Sequence, residues 1–277
     1  MTGSEIRLKP RGVVKITLGS LYSYTRPKAV VIYGENIESV EYDLSNEQVI
    51  IIDNSEKKVR NSLYSSDIVR IVLIGEMIYI KEVIGDIDLI TEENTPAKKM
   101  MAYGTSITQG IGATQPEMSY PWLLARKLGF DCINYGMSGC AFIEEDTIEF
   151  LCQDTYDLIV LELSVNMWGD GFSAKEFGIK YKSLVLKLLD RNKDARIYSF
   201  SILPFFADLN GDSNADEYRS IHRGIIREIA DPRLIYVDSR ELISFNNLSS
   251  DLIHPSNIGM LEIEDNLAKV MNQNEEQ

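Results

Sequence analysis

The hydrophobic pattern changes period once, near residue 99, and that change restricts the chain more than any other feature. Up to about residue 95 the apolar residues fall in short runs: "GVVKITLGSLYSYT", "AVVIYG", "SVEYDL", "QVIIID", "DIVRIVLIG" and "MIYIKEVIG". These are rich in Val, Ile and Tyr and are divided by Gly, Asn, Asp and Ser. Such residues suit a pleated, half-buried surface, and no long helical period interrupts them. Residues 1–95 are therefore expected to form a small antiparallel β-sandwich or jelly-roll-like domain. The polar stretch "DLITEENTPAKK" (88–99), which contains Pro96, reads as the linker.

Residues 96–277 follow a different pattern, strand then loop then helix, repeated. Strands are expected at "KMMAYG", "DCINYG", "DLIVLELS", "ARIYSFSIL" and "LIYVDSREL". Helices are expected at "YPWLLARKLG", "EEDTIEFLCQ", "SAKEFGIKYKSLVLKLLDRN", "ADEYRSIHRGIIREIA" and "NIGMLEIEDNLAKVMN". In the third helix Phe177, Tyr181, Leu184, Val185 and Leu188 recur at spacings of three and four, the apolar face of a 3.6-residue period. Alternating strands and helices imply an α/β domain, a parallel sheet with helices on both faces.

In open parallel sheets ligands bind beyond the carboxyl ends of the strands, so the residues just after each strand carry the information. After the first strand comes Gly104-Thr105-Ser106, and after the second "NYGMSGC" with Gly139. "SVNMW", with Asn166 and Trp168, follows the third, and "DLIHPS", with Asp251 and His254, comes after the fifth. Acyl transfer needs this set. A serine hydroxyl is a poor nucleophile at neutral pH and requires an adjacent base, for which His254 is the candidate. Asp251, three residues earlier, can orient the imidazole, and Pro255 restricts His254 to extended backbone. The backbone N–H groups of Ser106 and Gly139 and the amide of Asn166 can serve as oxyanion donors. Trp168 reads equally as an aromatic wall for a substrate or as a core side chain. Taken singly, each of these has an ordinary reading: Gly-x-Ser as a turn, Asn166 as a cap, "DLIHPSN" as a helix start with Ser256 or Asn257 as N-cap. The functional reading rests on their occurring together, in order, at one sheet edge. Activity is expected to fall at acid pH as His254 protonates.

Composition removes several classes. The formal charge is −14, with 28 Lys and Arg against 42 Asp and Glu, and no basic cluster appears, so nucleic acid is not an expected partner. The apolar stretch "DIVRIVLIGEMIYIKEVIG" is broken by Arg70, Glu76, Lys81 and Glu82 and cannot span a bilayer. The segment "MTGSEIRLKPRG" lacks an apolar core and does not read as a secretory signal, so a cytoplasmic location is expected. Three cysteines without metal spacing read as reduced thiols, with Cys132 and Cys152 in the core. The only histidines are His222, which reads as structural within its helix, and His254. The acidic "EEDTIE" reads as a solvated helix face, and no metal or other cofactor is expected.

The segments "GTSITQG", "NYGMSG", "VNM" and "DLIHPS" resemble the four blocks of the SGNH (GDSL-type) hydrolase family, over residues 99 to about 270. That resemblance implies a flavodoxin-like three-layer α/β/α fold with sheet order 2-1-3-4-5. By position, Ser106 looks like the family's nucleophile, Gly139 and Asn166 like its oxyanion donors, and Asp251 and His254 like the other triad members. Thr105 and Ile107 replace the usual Asp and Leu of the first block, and Ser164 and Met167 flank Val165-Asn166 in the third. With a β domain ahead of it, the "YGTSIT" form looks most like the branch that includes carbohydrate esterases, which remove acetyl groups from sugars. The expected substrate is a small-molecule or oligosaccharide acyl ester. The alternatives are a lipase or thioesterase on the same machinery, for which "ILPFF" (202–206) offers an apolar wall, and a non-catalytic sugar-binding protein. The oligomeric state stays open.

Overall fold

The computed structural model describes residues 4–23, 26–34, 36–55, 63–75, 77–211 and 214–275. Of the segments discussed above, residues 1–3, Tyr24, Thr25, Glu76, Glu276 and Gln277 lie outside the described residues. The chain divides into two compact units, Met1–Ala97 with Gly129–Asp131, and Lys98–Leu128 with Cys132–Gln277.

The first unit is built of β1 (Ser4–Pro10), β2 (Val13–Ser20), β3 (Lys28–Tyr33), β4 (Asn36–Asp43), β5 (Gln48–Asp53), β6 (Val69–Ile74), β7 (Ile78–Ile84) and β8 (Ile87–Asp88). They form two antiparallel sheets, of order β4-β3-β6-β1-β8 and β5-β2-β7. Side chains alternate faces along a strand, so β2 buries Val14, Ile16 and Leu18 while Val13 and Lys15 face outward. Val14, Ile16, Ile50 and Ile52 from one sheet share a core with Ala29, Val31, Val69 and Ile71 from the other. This is a two-sheet sandwich, as the period of two requires.

The sheet of the second unit contains β9 (Lys99–Gly104), β10 (Asp131–Gly136), β11 (Leu158–Glu162), β12 (Arg196–Phe200) and β13 (Leu234–Tyr236). Its order is β10-β9-β11-β12-β13, and β9, β11, β12 and β13 run parallel. That is the 2-1-3-4-5 order of the flavodoxin-like fold. Its helices are α1 (Ser106–Gln109), α2 (Tyr120–Leu128), α3 (Glu145–Leu151), α4 (Val165–Gly169), α5 (Ala174–Arg191), α6 (Phe206–Leu209), α7 (Ala215–Ile229) and α8 (Asn257–Glu275). Helix α5 starts where Ser173 and Glu176 cap each other: Glu176 N–H donates to Ser173 Oγ at 3.2 Å, and Ser173 N–H to the Glu176 carboxylate at 2.7 Å. Its stripe of Phe177, Tyr181, Leu184, Val185 and Leu188 is wholly buried, each side chain stabilising the fold by about 1.5–3 kcal/mol. Helix α5 packs on α7, and α2 on α8. Residues of α3, α5 and α7 share one core with the sheet.

One expectation is corrected here, and the structural reading of His222 holds. Cys132 and Cys152 are only half-buried. Cys132 lies on β10, the edge strand, whose residues beyond Asp131 are half-covered, and Cys152 caps the end of the short α3. His222 is fully buried, with Nε2 2.8 Å from Ser199 Oγ, which also receives the Tyr181 hydroxyl at 2.9 Å. Burial, and secondarily the Arg223 charge, push His222 down to about 3, so it is a neutral core residue. Among the described residues no helix is long and apolar enough to cross a membrane.

Candidate active site

Strand β9 ends at Gly104, and the chain turns at once into α1. Thr105 caps that short helix, its Oγ1 accepting from Ile107 N–H at 3.3 Å. Ser106 is therefore the first helical residue, at the end of the strand, and is 7% exposed. Position 104 must be glycine: a Cβ there would lie 2.1 Å from Thr108 Oγ1 and 2.5 Å from the Glu162 carbonyl oxygen.

The Ser106 hydroxyl lies 2.8 Å from Nε2 of His254, across 148 residues of sequence. On the other side of the ring, Nδ1 lies 2.6 Å from Asp251 Oδ2. Because an ionised carboxylate only accepts, we assign the imidazole proton to Nδ1, which leaves Nε2 to accept from Ser106. The second oxygen of Asp251 accepts from the backbone N–H groups of Ile253 and His254, both at 2.9 Å, and from Ser249 Oγ at 2.8 Å. Partial burial works against the charged form of Asp251. The bonds from the His254 ring, from the two backbone N–H groups and from Ser249 outweigh it and hold the carboxyl well below its usual range.

The loop carrying this pair closes on itself. Ser249 N–H donates to the His254 carbonyl at 2.7 Å, Leu252 N–H donates to the Ser249 carbonyl at 3.0 Å, and Leu248 bridges Pro255. Leu252 adopts φ +56°, the left-handed conformation that lets the chain double back between Asp251 and His254. Ser256 follows as the cap of α8, its Oγ accepting from Gly259 N–H at 3.3 Å. The helix start and the site residues thus coexist in "DLIHPSN".

Opposite His254 stands the loop after β10. Asn134 Nδ2, near the end of β10, donates to the Thr108 carbonyl at 2.7 Å, and Ser138 N–H in the loop to Gln109 Oε1 at 2.9 Å, so the strand end and its loop are tied to α1. Gly139 has φ +72°, and a Cβ built there would meet no atom of the described residues within 4 Å beyond its chain neighbours. Its backbone is consequently open to a ligand. Asn166 is the second residue of α4, and its Oδ1 accepts from Ala141 N–H at 3.2 Å, which leaves its amide hydrogens to donate elsewhere. Ser164, just before α4, is buried at φ +97°, a strained conformation for a residue with a Cβ. Met167 is buried in the core, whereas Trp168 is half-buried. The Trp168 indole N–H donates to Asn214 Oδ1 at 2.5 Å, and its ring meets Phe205 edge-on at 4.8 Å between centroids.

Ser106, Ser138, Gly139, Asn166 and His254 line one cavity of about 360 Å³. Val165, Trp168, Phe205 and Ile253 form its apolar lining, and Gly169 and Asp170 complete it. Of the site residues expected from the sequence, Ser106, Gly139, Asn166, Trp168 and His254 line this cavity, and Asp251 stands behind His254. From "ILPFF" Phe205 reaches the cavity; Ile202 and Leu203 are buried. A hydroxyl bonded to an imidazole that is itself bonded to a carboxylate can lose its proton as it attacks an electrophile. Among the described residues no group of three or more His, Cys, Asp or Glu side chains is placed to hold a metal ion. Sequence reading passed over Glu162, the last residue of β11, which is fully buried against the turn that carries Ser106. The signal was a carboxylate inside the otherwise apolar "LIVLE".

A family model described as "GDSL-like Lipase/Acylhydrolase family" matches residues 97–272, well over half of the chain. The chain belongs to this family. This GDSL-like acylhydrolase is accordingly an ester-bond hydrolase. No curated protein matches it. Among solved structures it is similar to the salicylyl-acyltransferase SsfX3 from a tetracycline biosynthetic pathway (TM-score 0.73, 16% identity, covering 97% of this chain and 81% of that one). It is also similar to a family two carbohydrate esterase from Clostridium thermocellum solved with cellohexaose (0.69, 15%, 98% and 93%). A third is the acetyl xylan esterase Est2A from the rumen bacterium Butyrivibrio proteoclasticus (0.64, 14%, 98% and 90%). At such identities these likenesses speak to the fold, and they extend over the N-terminal sheets as well as the α/β unit.

Proposed function

We propose that this hydrolase is a serine esterase that removes O-acyl groups, chiefly acetyl, from a carbohydrate or glycoside. The observation that carries the reading is the 2.8 Å approach of Ser106 Oγ to His254 Nε2 at the wall of the cavity. In the proposed reaction Ser106 Oγ attacks the ester carbonyl as its proton passes to Nε2, and Asp251 Oδ2 stabilises the resulting imidazolium through Nδ1–H. The oxyanion accepts hydrogen bonds from the backbone N–H groups of Ser106 and Gly139 and from the side-chain amide of Asn166. The sugar hydroxyl leaves with the proton from Nε2. Water, deprotonated by the same nitrogen, then releases the acyl group as a carboxylic acid and returns Ser106 to its starting state.

Support for a short acyl group on a sugar comes from the modest cavity, from Trp168 in its lining, and from the likeness to proteins described as carbohydrate and acetyl xylan esterases. The lining by Val165, Phe205 and Ile253 favours the second reading, a lipase or thioesterase acting on longer chains. Turnover of p-nitrophenyl acetate against the octanoate, followed by a panel of acetylated sugars, separates them. Strong preference for octanoate would defeat the deacetylase reading. Ser106→Ala and His254→Ala should each lower kcat by several orders of magnitude with the fold intact. Retention of more than about a tenth of the activity by either would defeat the triad.

A further inference from the structure

Next to Ser106 lies a buried carboxylate that takes no direct part in the chemistry above. Glu162 ends β11, pairs in register with Gly104 at the end of β9, and is fully buried. Its Oε2 accepts three hydrogen bonds: from Thr105 N–H at 2.8 Å, from the Thr105 hydroxyl at 2.7 Å and from the Thr108 hydroxyl at 3.1 Å. With the Thr108 hydrogen directed to Glu162, Thr108 Oγ1 receives the Tyr120 hydroxyl at 2.7 Å. The three donors come from the residue just before Ser106 and the residue two after it. Oε1 has no hydrogen-bond partner among the described residues.

A charged group at this depth costs several kcal/mol unless it is well bonded, and an apolar side chain would continue the "LIVL" run at no such cost. What the carboxylate adds is convergence, because three donors from one turn meet on a single oxygen. The first N–H groups of a helix have no partner within it, and the acceptor for Thr105 N–H comes from the neighbouring strand. Gly104 belongs to the same arrangement, since a Cβ there would come within 2.8 Å of Oε2.

We infer that Glu162 is a positioning residue: by clamping Thr105 and Thr108 it fixes the turn that sets Ser106 Oγ opposite His254 Nε2. The inference rests on the reading of Ser106 as nucleophile. Loosening the clamp displaces the hydroxyl from its base while leaving the cavity lining in place, so the defect falls on the chemical step and not on substrate binding.

The test compares Glu162→Leu and Glu162→Gln with the wild type in hydrolysis of p-nitrophenyl acetate and in the rate at which a fluorophosphonate labels Ser106, each normalised to labelled sites. Leu offers no acceptor, and kcat should fall about 10²-fold with KM within about threefold, with the labelling rate falling in parallel. At pH 8, where Glu162 is ionised, Gln keeps one acceptor oxygen without the charge, its bonds are weaker, and it should restore roughly tenfold of that loss. Should the Leu variant fail to fold, Thr105→Val removes one arm of the clamp and should cost about tenfold in kcat. A folded Leu or Val variant with wild-type kcat and labelling would overturn the positioning role alone. A wild type that is active but not labelled at Ser106 would overturn the nucleophile reading and this inference with it.

Discussion

The burial of Glu162 makes a second prediction, about stability, whose size follows from the structure. Removal from water raises its carboxyl to about 7, against the lowering influence of the Thr105 and Thr108 hydrogen bonds. Folding therefore favours the protonated form. The stability associated with that proton is fully present below the unfolded value near 4.5 and is lost as pH rises through 7. At 1.36 kcal/mol per unit, the shift corresponds to about 3 kcal/mol in all, most of which falls between pH 5 and 8. Glu162→Gln does not titrate, so the difference between the stabilities of wild type and variant isolates this group from the many other titrations of an acidic chain. Both tryptophans, Trp122 and Trp168, lie in the α/β unit, so their fluorescence during urea unfolding follows that unit. Measured at pH 5, 6, 7 and 8, the wild type should lose about 2–3 kcal/mol relative to the variant, mostly before pH 7. A flat difference would show that Glu162 titrates near its ordinary value. A difference that grows in favour of the wild type at high pH would show that the three donors outweigh burial.

Three further outcomes are expected. Asn166→Ala should reduce kcat about 10²–10³-fold with little change in KM, and Asn166→Asp, which keeps the acceptor for Ala141 N–H but not the amide donors, should not recover it; an unchanged kcat would place the oxyanion elsewhere. Ser164→Gly should relieve the backbone strain at φ +97° and raise stability by about 1 kcal/mol, a gain of about 2–4 °C in Tm; an equal or lower Tm would mean that the Ser164 hydroxyl bond to the Leu163 carbonyl outweighs the strain. Gly104→Ala should destabilise the α/β unit by about 1–3 kcal/mol and lower kcat, because the new methyl group collides with Thr108 Oγ1 and with the Glu162 backbone; a neutral thermal scan would contradict the close approach described.

Period was the most legible property. The alternation in β2 and the three-and-four spacing in α5 each report a repeating geometric constraint, and both elements form where the pattern ends. The site was legible for a related reason: the sheet brings strand ends to one edge, and Ser106, Gly139, Asn166 and His254 all follow strands and line one cavity. Exposure at the margins was less legible. Cys132 was expected in the core, but its strand is the sheet's edge, a property of strand order that one strand's sequence does not encode. Glu162 was missed because its meaning depends on Thr105 and Thr108, 57 and 54 residues earlier, and they become its partners only once β9 and β11 pair. In the sequence it was one charged letter among apolar ones. Likewise, nothing in "LSVNM" announces that Ser164 must take a positive φ.

The self-closed loop from Leu248 to Pro255 has a consequence for how activity is gained and lost. Asp251 and His254 are three residues apart and are joined by a ring bond and a backbone bond, so their pairing is a short-range contact within one loop. What long-range folding must still supply is one gap of 2.8 Å, between that ready-made pair and a serine 148 residues upstream. With the triad proposed above, catalysis becomes a ruler for the seating of a single hairpin: a chain with native helix content and a slightly unseated hairpin would look folded by spectroscopy and yet be inert.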